Sequence, residues 1–236
     1  TSNIGDSNIV AISAGSKFSL FLDENGNVYS CGWNPFGQLG MGEDDTTDRD
    51  IPTKINTRNI GDSKIVAISA GYYHSLFLDE NGNVYCCGYN SDGQLGMGED
   101  DTTTRYIPER ITSNIGDSNI VAISAGNYHS LFLDDSGNVY SCGNNGYGQL
   151  GLNDTTNRYI PERITSNIGD SNIVAISAGD KHSLFLDENG NVYSCGWNTY
   201  GQLGMGDNDK TNRYIPERIT SNIGDSNIVA ISAGSE

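Results

Sequence analysis

Basic side chains are scarce. Lys and Arg total 13 against 30 Asp and Glu in 236 residues, a formal net charge of −17. A phosphate backbone or an anionic bilayer repels such a chain, so neither nucleic acid nor a membrane surface is expected as a partner. The charge is compatible with a basic protein partner, and more often serves solubility. Long apolar runs are also missing. Runs such as "IVAISAG" and "SLFL" fall well short of the ~20 residues of a membrane-spanning helix. No basic segment followed by an apolar one marks a secretory leader. The sequence opens on Thr1 rather than Met, which suggests a processed or excised chain.

Cysteine is sparse too, and its placement excludes more than its number. There are five and no CxxC, so neither a disulfide framework nor a zinc site is expected, and no other cofactor is called for. Cys31, Cys87, Cys142 and Cys195 each follow a strand pattern and precede Gly. A residue used the same way each time packs inside its unit as a small apolar group. Reduced, buried thiols point to an intracellular rather than a secreted compartment. Cys86, beside Cys87, is the extra one; alternation along a strand turns it to the opposite side, where it should be the more accessible thiol.

The sequence holds one unit written four times. The last Gly of "AISAG" falls at Gly15, Gly71, Gly126, Gly179 and Gly234, and "TSNIGDSNIVAISAGS" at 1–16 returns letter for letter at 220–235. The units run over about 1–56, 57–111, 112–164 and 165–219, with a partial unit at 220–236, and together they form a single repeat domain. Each reads as β. "NIVAISAG" is short, branched and closed by Gly; "HSLFLD" leads into an Asn-Gly turn; "VYSCG" runs back, giving a hairpin. "GQLGMG" is too rich in Gly for a helix. "RYIPERI" is a further extended piece, and Pro52, Pro108, Pro161 and Pro216 suit an outer strand. Three or four strands repeated about every 50 residues are the mark of an all-β propeller.

The repeat resembles that of the regulator of chromosome condensation family (the RCC1 repeat). The residues that carry the resemblance in the second unit are Gly71, His74, Ser75, Gly82, Val84, Tyr85, Gly88 and Gly93-Gln94-Leu95-Gly96, and the other units repeat them. The resemblance implies a propeller of about seven blades. With four units and the start of a fifth, this chain is expected to form an arc: a partial array, or a protomer completing a ring head-to-tail with another copy. It also implies partners such as small GTPases, for which some members are exchange factors; no loop here matches such a function.

Motifs that suggest chemistry have structural readings. His74, His129 and His182 stand next to Ser75, Ser130 and Ser183, with Asp79, Asp134 and Asp187 downstream. Adjacent residues on a strand point to opposite faces, so His and Ser of one unit cannot form a triad. The first unit has Phe18 in the His slot, as at a packing site, and the three histidines are read as structural. "DENGN" lacks the later ligands of a calcium loop and explains itself as a hairpin turn. "GEDDTT" varies in length and charge between units, as a solvated loop does. "GQLGMG" has no Lys-Ser/Thr after it and cannot be a phosphate loop.

Two stretches vary between units while the frame stays fixed: the residues after the "AISAG" Gly and those after the Cys-Gly pair. They bring Trp33, Phe36, Tyr72, Tyr73, Tyr89, Tyr128, Tyr147, Trp197 and Tyr200 to loops at strand ends. Rigid aromatic side chains on such loops are candidate anchors for a protein partner of unknown identity. The expected function is a non-enzymatic interaction scaffold. The alternatives are a structural module that self-associates through its terminal repeats, a regulator of a small GTPase, or an enzyme using Asp92, Asp180 and Lys181 in a central channel.

Overall fold

The structure, a computed structural model, describes residues 4–5, 7–224 and 226–234. Each unit folds into one four-stranded antiparallel sheet with its strands in chain order. The first blade contains β1 (Ile9–Ala14), β2 (Phe18–Asp23), β3 (Val28–Gly32) and β4 (Arg49–Lys54). The second contains β5 (Ile65–Ala70), β6 (His74–Asp79), β7 (Val84–Gly88) and β8 (Arg105–Arg110). The third has β9 (Ile120–Ala125), β10 (His129–Asp134), β11 (Val139–Gly143) and β12 (Arg158–Arg163), and the fourth β13 (Ile173–Ala178), β14 (His182–Asp187), β15 (Val192–Gly196) and β16 (Arg213–Arg218). There is no helix among the described residues.

The central hairpin of each blade is tied at its tip by an aspartate. Asp79 Oδ1 accepts from the backbone N–H of Asn81 and Asn83, each at 2.9 Å, while Oδ2 accepts from Asn83 Nδ2 at 2.9 Å and from the Tyr85 hydroxyl at 3.3 Å. Asp23, Asp134 and Asp187 do the same. These carboxylates are turn anchors, which is why Asp, Asn and Gly recur at this spacing.

Both faces of an inner blade are covered. The face bearing His74, Leu76 and Leu78 packs on the following blade, and the face bearing Ser75, Phe77 and Cys87 packs on the preceding one. The hydrophobic core is therefore three cores between four blades. The first joins Leu20, Leu22 and Leu39 to Phe77 and Cys87; the second joins Leu76, Leu78 and Leu95 to Phe132 and Cys142; the third joins Leu131 and Leu133 to Phe185 and Cys195. Truncating such a fully buried Phe costs about 3–5 kcal/mol in typical cores.

Polar contacts fix the register between blades. Ser130 Oγ donates to the carbonyl of Gln94 at 2.7 Å, and His74 Nε2 lies 3.0 Å from the same hydroxyl. The hydroxyl has one proton and has given it away, so His74 donates from Nε2. Ser183 is held in the same way by Gln149 O (2.7 Å) and His129 Nε2 (2.9 Å). Among the described residues the Nδ1 atoms of His74 and His129 have no partner. Gly71 and Gly126 make this possible: a Cβ at Gly71 would stand 2.4 Å from His74 Cε1 and 2.5 Å from Gly126 O. Inner strands are stitched in series as well: Ala70 N–H donates to Ser13 Oγ, Ala125 to Ser69 and Ala178 to Ser124, each at 2.9 Å. Ala233 N–H reaches Ser177 Oγ at 2.8 Å, which seats residues 228–233 along the fourth blade.

Two expectations about thiols need correction. Cys87, Cys142 and Cys195 are fully buried, each Sγ 3.6 Å from a Gln carbonyl of the preceding blade. Among the described residues no blade packs in front of Cys31, which is half-exposed. Cys86, expected to be accessible, is fully buried, with Sγ 3.3 Å from Leu95 O. The Gly-Gln-Leu-Gly loop of its own unit folds over that side of the strand, where Ser30, Ser141 and Ser194 hydroxyls donate to Leu39, Leu150 and Leu203 carbonyls. In dilute native protein a thiol reagent should therefore modify Cys31 alone and reach the other four after denaturation. Rapid native modification of Cys86 would contradict this packing.

The histidines make a second prediction. Burial pushes His74 and His129 down to about 3 from 6.5, and lowers His182. The unfolded chain takes up protons below 6.5 that the folded chain refuses. Stability is therefore intact above that pH and is lost as pH falls towards 3, by about 1.4 kcal/mol per pH unit for each of His74 and His129. The shifted carboxylates Asp23, Asp45, Asp101, Asp154 and Asp209 lie below 3.8 and stay ionised over the upper part of that window. His129→Phe, which copies Phe18 in the first unit, should cost about 1 kcal/mol at neutral pH and flatten the fall in melting temperature between about pH 6.5 and 4.5. Equal slopes for variant and parent would contradict the assignment.

Candidate interaction face

The loop after each inner strand and the loop after each third strand emerge at one end of the blades, and the β2–β3 type turns at the other. The nine aromatic side chains singled out from the sequence all lie on these loops, and the structure brings them into two groups. Trp33, Phe36, Tyr72, Tyr73, Tyr89 and Tyr128 pack edge-on or tilted across the first three blades. Trp33 and Phe36 centroids are 5.7 Å apart, Phe36 and Tyr89 5.0 Å, Tyr72 and Tyr73 4.2 Å, and Tyr72 and Tyr128 5.6 Å. Tyr147, Trp197 and Tyr200 form the second group, with centroid separations of 5.8 and 5.2 Å. Most of these rings are half-buried; Tyr200 is 74% exposed. Edge-to-face packing of this kind holds the rings in place beyond what area alone would do.

Each group carries one lysine that the aromatic pattern alone did not single out as a partner. Lys17 Nζ lies 5.0 Å above Trp33, and Lys181 Nζ lies 4.8 Å from the Trp197 centroid and 5.7 Å from that of Tyr147. A cation over a ring face is attracted by its quadrupole. Both lysines precede the His/Phe slot, so the signal was in the variable stretch itself. A polar seam separates the groups. Asp92 accepts from Asn144 Nδ2 and Asn157 Nδ2, each at 3.0 Å, and Asn127 donates to Asp180. Burial, with a hydrogen bond to Tyr72, pushes the Tyr73 phenol up to about 12, and burial also raises Tyr128. The bond from Tyr73, followed by one from Ser16, lowers Tyr72.

The chemistry-bearing residues do not converge elsewhere. His74 and His129 meet serines of the following blade, not their own, and His182 sits at the open side of the fourth blade. The axial hollow, ≈ 510 Å³, is lined by Ser, Ala and Gly of the inner strands together with Tyr72 and Asn127. Asp180 pairs with its neighbour Lys181 at 3.1 Å, and Asp92 is engaged by asparagines of the third blade, so the proposed channel set is not assembled. Among the described residues no group of three or more His, Cys, Asp or Glu could hold a metal ion.

Comparison with known proteins gives this geometry a context. The family model described as RCC1-like domain matches residues 1–236. The ultraviolet-B receptor UVR8 of Arabidopsis thaliana is 34% identical over 227 residues, covering 96% of this chain and 49% of that protein. The probable E3 ubiquitin-protein ligase HERC4 of Homo sapiens is 36% identical over 255 residues, covering 88% of this chain and 24% of that one. The crystal structure of Prp20p from Saccharomyces cerevisiae, described with its binding properties to Gsp1p and histones, superposes with a TM-score of 0.83 at 27% identity, covering 98% of this chain and 55% of that chain. The chain thus spans about half or less of the relatives it matches.

Proposed function

This chain belongs to the RCC1-like domain family, and from that premise we propose that it is a non-enzymatic interaction scaffold that binds a protein through the aromatic loop face. The observation that carries the reading is the division of labour within the unit. The frame is nearly invariant, while the loops at one end vary and bring two ring clusters together. Function concentrates in loops held by a rigid scaffold, and large aromatic side chains are the residues that dominate protein interfaces. Binding of proteins by the yeast relative Prp20p supports the reading. Exchange activity toward a small GTPase is not proposed, because no residue of these loops has been matched to that role. A partner bearing apolar and basic groups suits rings bordered by Asp92 and Asp180 in a chain of net charge −17.

The test is affinity capture with purified chain, followed by binding measurements on whichever partner is stoichiometric. Trp33→Ala and Trp197→Ala should each weaken binding by about 2 kcal/mol, roughly 30-fold, as anchors do. Glu24→Gln and Glu188→Gln, at the opposite end of the blades, should leave it unchanged. Equal effects from both ends, or none from the tryptophans, would reject the face.

A further inference from the structure

The outer strand of every blade begins with an arginine that ties down the loop before it. Arg105 Nη2 donates to Asp101 at 2.6 Å and Nη1 to the Thr103 carbonyl at 2.7 Å, and Arg158 and Arg213 hold Asp154 and Asp209 in the same way. A second carboxylate meets the Nε of each: Glu109 at 2.7 Å, Glu162 at 2.8 Å and Glu217 at 2.6 Å. In β4 only the first half of this arrangement is kept. Arg49 Nη2 donates to Asp45 at 2.6 Å and Nη1 to the Thr47 carbonyl at 2.7 Å. Thr53 stands where the others have Glu, and among the described residues no acidic group meets Arg49 Nε. The register makes the positions equivalent: Thr53 lies opposite Ser30 as Glu162 lies opposite Ser141 and Glu217 opposite Ser194.

We propose that Thr53 is a phosphorylation site, and that its phosphate takes the place a glutamate holds in the other three blades. A protein kinase moves the γ-phosphoryl group of a nucleoside triphosphate to Thr53 Oγ1; the hydroxyl loses its proton and the nucleoside diphosphate leaves. The terminal oxygens of phosphothreonine and of glutamate are the same number of bonds from Cα. Side chains alternate along a strand, so Arg49 and Thr53 share one face of β4. The phosphate therefore reaches Arg49 Nε by the path that Glu109 takes to Arg105. It brings a charge of about −1.5 to −2, and a guanidinium is the side chain whose planar donors suit it. What is given up is local: Thr53 Oγ1 donates to the Ile51 carbonyl at 3.1 Å. The place stays within an enzyme's reach when a blade packs in front, because the Glu109, Glu162 and Glu217 side chains are 36%, 40% and 41% exposed in blades that follow another. β4 is also the outermost strand of its sheet. The effect runs toward the aromatic loops. Arg49 holds the loop at 43–48, and that loop holds Asn34, whose Nδ2 donates to the Asp45 carbonyl at 2.9 Å and whose N–H donates to Asp48 Oδ1 at 2.8 Å. Trp33 precedes Asn34, so a phosphate on Thr53 tightens the support under that ring. This consequence rests on the function proposed above; the site itself does not, and it is tested without a partner.

Phosphopeptide mapping of the protein purified from its source cells, with phosphatases inhibited, should find phosphate on Thr53. Thr53→Glu, which copies the other blades, should raise the melting temperature by about 2–4 °C and protect Arg49 Nε–H from exchange with water in nitrogen-15 NMR. Phosphothreonine incorporated at position 53 should do the same. Adding Arg49→Gln should remove the gain. A native protein with no phosphate on Thr53 would overturn the proposal. So would a Thr53→Glu chain that gains nothing, or one whose gain survives Arg49→Gln. Should Arg49→Gln fail to fold, the Arg49 Nε–H signal in the Thr53→Glu chain decides: protection supports the site, and exchange as fast as in the parent rejects it.

Discussion

A serine hydroxyl clamped by the blade before it organises this molecule. Ser130 gives its proton to Gln94 O and receives one from His74, both in the second blade, and Cys142 lies against the same carbonyl. The clamp sets the distance between sheets, and that distance decides which side chains are buried. Leu and Phe alternate along each central strand, so one set fills the space in front of a blade and the other the space behind. Neither sheet has a core of its own. Stability is therefore a property of neighbours, as in other repeat architectures where each unit contacts only the next.

The same dependence explains what could be read in the sequence. The Asn-Gly turns, the short branched strands and the strand-ending glycines are local signals, and the four-stranded sheets follow from them. Pro108 and its counterparts lie on the outer strand because a missing N–H is harmless there. Burial was less legible, because it is set between units. The structure covers both faces of "HSLFLD", and Cys86 shows the cost of assuming one open side. Cys31 shows the converse: its sequence context is that of Cys87, yet its exposure differs because among the described residues no blade packs against its side of the strand. Two residues with the same local sequence can differ in environment when the neighbour, not the strand, does the burying.

At the aromatic face the rings were visible as variable positions, but not their grouping. Tyr72 and Tyr128 come from different units, and only the radial arrangement puts them 5.6 Å apart. Lys17 and Lys181 stand in the variable stretch of the sequence, but the rings they cover are set by how the loops are placed. The polar seam of Asp92, Asn144 and Asn157 draws on two units and has no contiguous motif. A frame that holds inner strands by repeated Ser-to-Ala contacts keeps these loops in fixed relation. In the function proposed above, that rigidity would let half-buried rings from several loops be presented to a partner together.

Nitrogen-15 NMR of the histidine side chains examines the clamp most directly. At neutral pH, His74 and His129 should each be neutral with the proton on Nε2 and a bare Nδ1, and should stay so at about pH 5, where a solvent-exposed imidazole is protonated. A proton on Nδ1, or imidazolium at that pH, would mean the serine is not held as described and the blades are joined in some other way.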